Sequence, residues 1–291
     1  MRYVTFSDAS GKRRPGIIDG ERIKPFGADV HSLDEFIAMF PGERLAALGN
    51  LGAPIALSSV KLLAPLAPKK NVFCVGRNYL AHAEEGARAL GTKVELPEMP
   101  CYFTKAPTAI AGPEQALELR GDLSPKYDWE AELGVVIGQR CRDVSDAQAL
   151  SYVFGYMCLN DVTARDLQRT HGGQWFKGKS LDNTCPIGPW IVDAEDIGSP
   201  QNLDIKLRVN GVEKQNSNTS KMIFNVAHIV SNLSQGLTLE PGDIIASGTP
   251  EGVGFAMTPP EFLKDGDVVE VEIQKIGILR NTLKISTLAK V

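Results

Sequence analysis

Residues 128–139, DWEAELGVVIGQ, begin with charged residues and end with apolar ones. Residues 133–137 form an unbroken apolar run, which is typical of a strand buried on both faces. Glu130 and Glu132 stand at the start of this run, two residues apart. Because side chains at i and i+2 of a strand point to the same side, we expect both carboxylates on one face of a β-rich core.

Two interpretations of this pair of glutamates are open. In the first, the beginning of the strand is solvated and the two side chains are ordinary surface residues. In the second, a divalent cation compensates two buried carboxylates that would otherwise repel each other and take up protons. A third oxygen ligand elsewhere in the chain would favour the cation.

The stretch YMCLNDVTARDLQ, residues 156–168, contains a candidate for this third ligand. Asp161 follows an apolar run, and Thr163 and Asp166 are expected to cap a helix that starts after it. An aspartate at such a junction can also be a plain turn or cap residue. Together, Glu130, Glu132 and Asp161 would offer three hard oxygen ligands, which suit Mg²⁺ or Mn²⁺ and leave about three coordination positions open.

Composition excludes several classes of function. The chain has 291 residues, 43% hydrophobic and 23% charged, as expected for a globular protein with a sizeable core. The net charge of −4 argues against a nucleic-acid or anionic-membrane surface. No apolar run approaches the ~20 residues of a membrane span, and the N-terminus lacks an apolar signal segment. The five cysteines form no C-x-x-C pair, so we expect a soluble cytoplasmic protein with reduced thiols.

The pattern along the chain predicts a β-rich α+β fold with two domains. Residues 1–66 are expected to form a small N-terminal α+β domain, with a hairpin turn at Asp19-Gly20 and a short helix capped by Ser32 and Glu35. A proline-rich linker within residues 62–70 leads into a second domain, residues 67–291. Short apolar segments dominate that domain, which predicts a β-roll or barrel.

Within the second domain, local patterns predict particular elements. Asn210-Gly211 indicates a hairpin turn, and residues 278–285 are expected to pair with the alternating strand that contains Val269 and Val271. A clear helical pattern occurs only in residues 220–236, with Ser220 as the expected cap and Gly236 as the stop.

Three further segments carry residues suited to chemistry. If GRNYLAHAEE (76–85) is helical, His82 and Glu85 lie on one face, where a carboxylate could orient the imidazole as a general base; a surface ion pair is the alternative. Lys177 and Lys179 lie in a glycine-flanked loop with two aromatic residues. ASGTPEGVG (246–254) lacks the lysine of a phosphate loop, so it is either a turn that presents Thr249 to an anion or a plain β-turn.

Five motifs occur in a fixed order: GRNYxxHxxE from Gly76, DWExEL from Asp128, NDxTARDxQ from Asn160, GKS from Gly178 and SGTPxGVG from Ser247. Taken together they resemble the fumarylacetoacetate hydrolase superfamily, over residues 71–283. GGQWFKGKS and KMIF resemble most its bacterial subgroup of acylpyruvase-like hydrolases, 2-hydroxyhepta-2,4-diene-1,7-dioate isomerases and ureidoglycolate-lyase-like proteins.

This resemblance implies a mixed β-roll catalytic domain in a homodimer that binds one Mg²⁺ or Mn²⁺ per subunit. The residues that it implies for the site are the metal ligands Glu130, Glu132 and Asp161, the catalytic residues His82, Glu85 and Lys179, and the substrate-binding residues Arg77, Gln168 and Thr249. The stretch GARALGTKVELPEMP, residues 86–100, is longer than usual for the family, and we expect residues 84–98 to act as a mobile lid.

The implied activity is hydrolysis of a carbon–carbon bond in a β-diketo acid, either an acylpyruvate or a sugar-derived 2,4-diketo acid, to pyruvate and a second acid. Decarboxylation, isomerisation or lyase chemistry on a small 2-oxo dicarboxylic acid would use the same metal-stabilised enolate. A non-catalytic module that binds oxo acids is a more remote alternative, because such a module would not need His82, Glu85 and Lys179.

Overall fold

A computed structural model of the protein describes residues 1–8 and 10–287, so the last four residues of the predicted second domain lie outside the described residues. Short strands dominate it, and they form two main sheets with helices at their edges. The strand-rich α+β class expected from the sequence is therefore confirmed.

The strands are β1 (Arg2–Ser7), β2 (Arg13–Asp19), β3 (Arg22–Pro25), β4 (Ile55–Ala56), β5 (Lys61–Leu63), β6 (Val72–Gly76), β7 (Cys101–Lys105), β8 (Ile110–Ala111), β9 (Leu117–Arg120), β10 (Tyr127–Asp128), β11 (Ala131–Ile137), β12 (Val153–Asn160), β13 (Thr163–Ala164), β14 (Cys185–Asp193), β15 (Asp204–Val209), β16 (Val212–Asn218), β17 (Ile244–Ala246), β18 (Val268–Ile273) and β19 (Gly277–Ser286). The helices are α1 (Leu33–Ala38), α2 (Pro41–Gly49), α3 (Leu80–Leu90), α4 (Asp146–Ala149), α5 (Arg165–Thr170), α6 (Phe176–Lys179), α7 (Ala194–Ile197) and α8 (Val226–Ser234).

The larger sheet has the strand order β4-β3-β2-β1-β14-β12-β11-β17-β6-β7, and β5 and β8 attach to its side. β11 lies between β12 and β17, antiparallel to both, and all seven of its residues are buried. This is the strand that the apolar run 133–137 predicts. Its central position means that residues at its beginning project into the interior of the molecule.

The smaller sheet has the order β16-β15-β18-β19-β9 and packs its apolar face into the largest hydrophobic core. The predicted hairpin turn joins β15 to β16, where Asn210 and Gly211 have φ of 51° and 78°. β18 pairs with β19 in antiparallel register, with Val271 opposite Leu279. Both local predictions for this region are therefore confirmed.

The N-terminal strands join the larger sheet directly. β1 pairs antiparallel with β14, so hydrogen bonds connect the first strands to the rest of the chain. The predicted turn between β2 and β3 is present, and the Ser32 hydroxyl accepts the Glu35 amide at the start of α1. The division into domains at residue 66 stays a prediction.

Two expected helix caps are wrong. The Ser220 segment forms a short 3₁₀ turn, and α8 begins later, where the Asn225 side chain accepts the His228 amide. Thr163 lies in β13, and its hydroxyl donates to the Asp161 carbonyl instead of capping α5. Among the described residues, no helix is both long and apolar enough to cross a membrane.

Candidate active site

A cavity of about 540 Å³ opens where β6, α3, the start of β11, α5 and α6 meet. Seven of the nine site residues predicted from the sequence line it: Arg77, His82, Glu130, Glu132, Gln168, Lys179 and Thr249. Asp161 is fully buried next to Glu130, and Glu85 contacts His82. All nine predicted residues therefore lie in or beside this cavity. Lys177 is exposed and is not among the residues that line the cavity.

Strand pairing brings the three acidic residues together. Ala131, the first residue of β11, lies opposite Asn160, the last residue of β12, so Glu130 just before β11 and Asp161 just after β12 lie side by side. The Asp161 amide donates to the Glu130 carbonyl at 2.9 Å, and the Glu130 amide donates to the Asn160 side chain at 3.0 Å. As a result, one carboxylate oxygen each from Glu130, Glu132 and Asp161 lie within 4.8 Å of one another.

Three buried cations surround this group of carboxylates. The Lys179 ammonium donates to Glu130 Oε2 and Asp161 Oδ2, each at 2.6 Å. Lys105 donates to Asp161 Oδ1 at 2.7 Å, and Arg165 lies 2.7 Å from Glu130 Oε1. Lys105 and Arg165 were not singled out from the sequence. Two signals in the sequence could have found them. Lys105 is the single charged residue of its strand and stands at its end, and Arg165 lies within the motif NDVTARDLQ.

Arg165 is only partly satisfied. Its Nε donates to Asp128 Oδ2 at 2.7 Å, and Asp128 in turn accepts the backbone amides of Gly254 and Phe255. The Arg165 Nη2 atom is buried and has no hydrogen-bond partner among the described residues. Arg165 lines the cavity, and its Nη2 is therefore a buried donor beside the cavity that no described residue uses.

The charges of the site do not balance. Four buried carboxylates (Asp128, Glu130, Glu132 and Asp161) face three cations (Lys105, Arg165 and Lys179). Burial opposes ionisation of Glu130, but Lys179 and Arg165 outweigh it and lower its pKa to about 2. Glu132 has no ion pair with a described residue. Burial, with repulsion from Asp161 and Glu130, raises the pKa of Glu132 well above its usual range.

This donor set fits a divalent cation. Each oxygen of Glu130 and Asp161 already accepts a hydrogen bond from a cation, but a carboxylate has about four lone-pair sites, so ligation remains open to both residues. Among the described residues, Glu132 accepts a hydrogen bond only from the Gly248 amide, at 2.7 Å. A dication would supply the positive charge that this carboxylate lacks, and carboxylate oxygens suit a hard divalent cation.

His82 and Glu85 form a hydrogen-bonded pair on α3. The His82 Nδ1 atom lies 2.9 Å from Glu85 Oε1, and both side chains are about nine-tenths buried. Glu85 also accepts the Gly252 amide at 2.8 Å, which fixes the carboxylate against the loop after β17. Because an ionised carboxylate only accepts hydrogen bonds, His82 Nδ1 is the donor of this pair, and Nε2 has no hydrogen-bond partner among the described residues.

The opening of the cavity is more exposed than its interior. Arg77 has a φ of 57°, a conformation that few non-glycine residues adopt, and its guanidinium lies 5.8 Å from the Trp175 ring centre. Lys93 and Glu95, from the segment after α3, also line the opening. Arg169 lies over the Phe255 ring at 4.9 Å and forms no ion pair with a described residue.

Comparisons with known proteins agree on one family. The family model described as "Fumarylacetoacetate (FAA) hydrolase C-terminal" matches residues 71–284. Oxaloacetate tautomerase YisK of Bacillus subtilis is 45% identical over 229 residues, which cover 78% of this chain and 74% of the relative. A 2,4-didehydro-3-deoxy-L-rhamnonate hydrolase of Sphingomonas sp. is 40% identical over 283 residues, covering 96% of this chain and 95% of the relative.

Solved structures lead to the same family. The fumarylacetoacetate hydrolase of the psychrophile Exiguobacterium antarcticum superimposes with a TM-score of 0.85 at 40% sequence identity. The match covers 98% of this chain and all of that one. The two named relatives carry out different reactions, so similarity alone gives the fold and the enzyme family but leaves the reaction to be argued from the site.

Proposed function

The chain belongs to the fumarylacetoacetate hydrolase family, and on that premise we propose that it is a divalent-metal-dependent hydrolase of β-diketo acids. It would cleave a carbon–carbon bond in an acylpyruvate or a sugar-derived 2,4-diketo acid, giving pyruvate and a second acid. The observation that carries this proposal is the His82–Glu85 pair, a buried and oriented base in the wall of a cavity that also holds three ligand carboxylates.

Glu130, Glu132 and Asp161 would hold one Mg²⁺ or Mn²⁺ ion. When bound, the ion would act as a Lewis acid on the 2-oxo acid end of the substrate and favour development of enolate charge there. The surrounding cations hold these ligands in place. Lys179 bridges two of them, and Lys105 fixes the far oxygen of Asp161, so the ligands are positioned before substrate arrives.

His82 would take a proton from the attacking water through Nε2. Its other nitrogen is held by Glu85, which stabilises the imidazolium that forms and keeps the ring from rotating. Lys179 and the unpaired Nη2 of Arg165 would stabilise negative charge on the attacked carbonyl oxygen. Gln168, whose side chain is 3.3 Å from Arg165, would contribute a further hydrogen bond.

The opening of the cavity favours a substrate with a polar or anionic distal end. Arg77, Lys93 and Arg169 line it, against one acidic residue, Glu95. The Sphingomonas relative is named for a sugar-derived diketo acid, and the Bacillus relative for a dicarboxylic oxo acid. Both kinds of substrate would present hydroxyl or carboxylate groups to these side chains.

Keto–enol isomerisation of a small 2-oxo dicarboxylic acid is the second candidate. The observation that favours it is the 45% identity with the oxaloacetate tautomerase, a level higher than that with the named hydrolase. Isomerisation would use the same base to move a proton between carbon and oxygen, without addition of water. Decarboxylation and lyase chemistry would need the metal-stabilised enolate but no attacking water.

A substrate panel separates these reactions. The Mn²⁺-loaded protein is incubated with acylpyruvates, sugar-derived 2,4-diketo acids and oxaloacetate, and the products are followed by pyruvate assay, enol absorbance and CO₂ release. Hydrolysis predicts pyruvate and a second acid from the diketo acids in equal amounts. Fast loss of enol absorbance from oxaloacetate, with no cleavage of any diketo acid, would establish the isomerase instead.

We further propose that the enzyme is a cytoplasmic homodimer, as its family resemblance and reduced cysteines indicate. Sedimentation equilibrium of the purified protein measures the mass directly, and a value of one chain, near 31.5 kDa, would contradict the dimer.

A further inference from the structure

Gln215 connects the metal-ligand strand to the loop that carries Thr249. It lies on β16 of the smaller sheet and is 1% exposed, although a glutamine is seldom buried without a reason. Its Oε1 atom accepts the backbone amide of Ala131, at 2.9 Å, between the two ligands Glu130 and Glu132. Its Nε2 atom donates to Thr249 Oγ1 and to the Pro250 carbonyl, each at 2.8 Å.

The polarity of this chain of hydrogen bonds is fixed at both ends. A backbone amide can only donate, so the side-chain oxygen of Gln215 must face Ala131. A backbone carbonyl can only accept, so the side-chain nitrogen must face Pro250. The same nitrogen therefore donates to the Thr249 hydroxyl, and that hydroxyl oxygen acts as the acceptor.

This polarity has a consequence for the cavity. A hydroxyl that accepts from Gln215 keeps its own proton for another partner, and no described residue accepts a hydrogen bond from Thr249 Oγ1. Thr249 is 3% exposed and lines the cavity near Glu130 and Glu132. The arrangement is a buried donor held ready for an acceptor that enters the cavity, such as the carboxylate of an oxo acid.

We propose that Gln215 is a positioning residue that makes Thr249 a hydrogen-bond donor toward the substrate carboxylate. This inference rests on the proposed function of the cavity but concerns a residue that does not itself line it. Gln215 would act at a distance in two ways: it directs one hydroxyl proton, and it ties the loop of that hydroxyl to the strand that bears the ligands.

The test is a double-mutant cycle read by oxalate binding to the Mn²⁺-loaded protein, since oxalate resembles a pyruvate enolate and its binding needs no turnover. Gln215→Glu keeps the size of the side chain but presents an acceptor to Thr249, so the hydroxyl proton turns away from the cavity. Thr249→Val removes the hydroxyl, and Thr249→Ser keeps it. Calorimetry gives the oxalate affinity, and manganese titration without oxalate gives the metal affinity.

We expect Gln215→Glu and Thr249→Val each to weaken oxalate binding by on the order of 10-fold, the usual size of one hydrogen bond to a charged group. The double variant should bind oxalate no more weakly than Thr249→Val alone, because the two changes remove one interaction. Thr249→Ser should bind as the wild type does. Metal affinity should stay within about 3-fold in Thr249→Val and Thr249→Ser. The new carboxylate of Gln215→Glu should strengthen Mn²⁺ binding, so oxalate affinities are compared at saturating Mn²⁺.

Several outcomes would overturn the proposal. Effects that add in the double variant would show that Gln215 acts by another route, such as general support of β11. Wild-type affinity in Gln215→Glu would show that hydroxyl orientation does not matter. If Gln215→Glu does not fold, Gln215→Met replaces it, both alone and combined with Thr249→Val. Gln215→Met alone should weaken oxalate binding by less than Gln215→Glu, and it should cause no further loss when Thr249 is already valine.

The proposed function can fail separately. If the Gln215 and Thr249 changes are non-additive in oxalate binding but no diketo acid is hydrolysed, the role of Gln215 stands and the hydrolase assignment is wrong. If the wild-type protein does not bind oxalate, the same cycle is read from kcat/KM on whichever panel compound is turned over. A protein that neither binds oxalate nor turns over any panel compound contradicts both proposals.

Discussion

The interior and the opening of the cavity are built differently. We call the floor the six residues Lys105, Glu130, Glu132, Asp161, Arg165 and Lys179, and the rim the four residues Arg77, Lys93, Glu95 and Arg169. Floor residues are 5% exposed or less, and five of the six form ion pairs with one another. Rim residues are all exposed and form no ion pair with a described residue.

This difference assigns two tasks to two regions. Buried ion pairs hold each other in one geometry, and removing one partner leaves an uncompensated charge, so the floor is rigid and intolerant of change. Exposed charges without ion-pair partners cost little to rearrange and are free to bind a ligand. We therefore expect the floor to determine the chemistry and the rim to determine which substrate is accepted.

The largest effect is expected from removing a floor ligand. Asp161→Ala removes one of the three proposed metal ligands and leaves Lys105 and part of the Lys179 interaction unpaired, so turnover should be undetectable and Mn²⁺ affinity strongly reduced. Calorimetric titration with Mn²⁺ measures this directly. Asp182→Ala, at an exposed aspartate, is the control and should bind metal normally. Unchanged metal affinity in Asp161→Ala would show that the metal does not bind at the proposed site.

The next largest effect is expected from removing His82, the proposed base, while the floor stays intact. His82→Ala should reduce diketo-acid hydrolysis by roughly 10²–10⁴-fold, the usual contribution of a general base. Any oxaloacetate decarboxylation should fall much less, because CO₂ leaves without attack by water and all three ligands remain. Metal affinity should be unchanged, and His171→Ala, at an exposed histidine, is the control. An equal loss of both activities with intact metal binding would contradict a water-specific role for His82.

The sequence predicted those floor residues whose positions depend on neighbouring residues in the chain. Glu130 and Glu132 share a face because strand periodicity places i and i+2 on one side, and Asp161 follows the strand end next to them. Lys105 was missed because its partner Asp161 lies 56 residues away, and only the folding of the larger sheet, in which β11, β17 and β6 lie between β12 and β7, brings the two side chains together. The Arg165 pairing with Asp128, 37 residues away, has the same origin.

The same limit applies to the fold. The Asn210-Gly211 and Asp19-Gly20 turns were predictable, because hairpin turns are set by neighbouring residues. The pairing of β1 with β14 was not, because Tyr3 and Ile191 have no local relation in the sequence. The start of α8 was missed because Ser220 and Asn225 are both good cap residues, and burial of Val226 and the residues after it decides between them.

A smaller effect is expected at the rim. Arg169→Gln should raise KM for a dicarboxylic oxo acid by roughly two- to tenfold, since one exposed charge is lost, and leave KM for an uncharged acylpyruvate tail unchanged. In both cases kcat should be close to that of the wild type. Arg88→Gln, at an exposed arginine that does not line the cavity, is the matched control. Equal changes in KM for both substrates would mean that Arg169 does not contact the distal end of the substrate.

Glu132, the floor carboxylate without an ion pair to a described residue, predicts that the stability of the metal-free protein depends on pH. Because burial and its acidic neighbours raise the pKa of Glu132, the folded metal-free protein holds a proton that the unfolded chain releases above about pH 4.3. Stability from this group is therefore lost as the pH rises toward the folded pKa. Thermal unfolding in EDTA should show a Tm that falls with pH in the wild type and falls less in Glu132→Gln. Mn²⁺ should stabilise the wild type and not the variant.

The smallest effect concerns the segment 84–98, the predicted lid, which contributes Lys93 and Glu95 to the rim. Its first part is the end of α3, where Glu85 accepts the Gly252 amide, and its second part has no regular secondary structure up to residue 98. Trypsin should therefore cut the free enzyme after Lys93 rather than after Arg88, which lies within the helix.

Oxalate with Mn²⁺ should slow this cut if the segment closes over a bound anion, because closure would shield Lys93. Cleavage after Lys12, an exposed residue just before β2, provides the internal control and should keep its rate. Mass spectrometry of the fragments measures both rates in one reaction. Equal rates after Lys93 with and without oxalate would mean that the rim, like the floor, is fixed before substrate binds, and the contrast between the two regions would then be one of charge pairing alone.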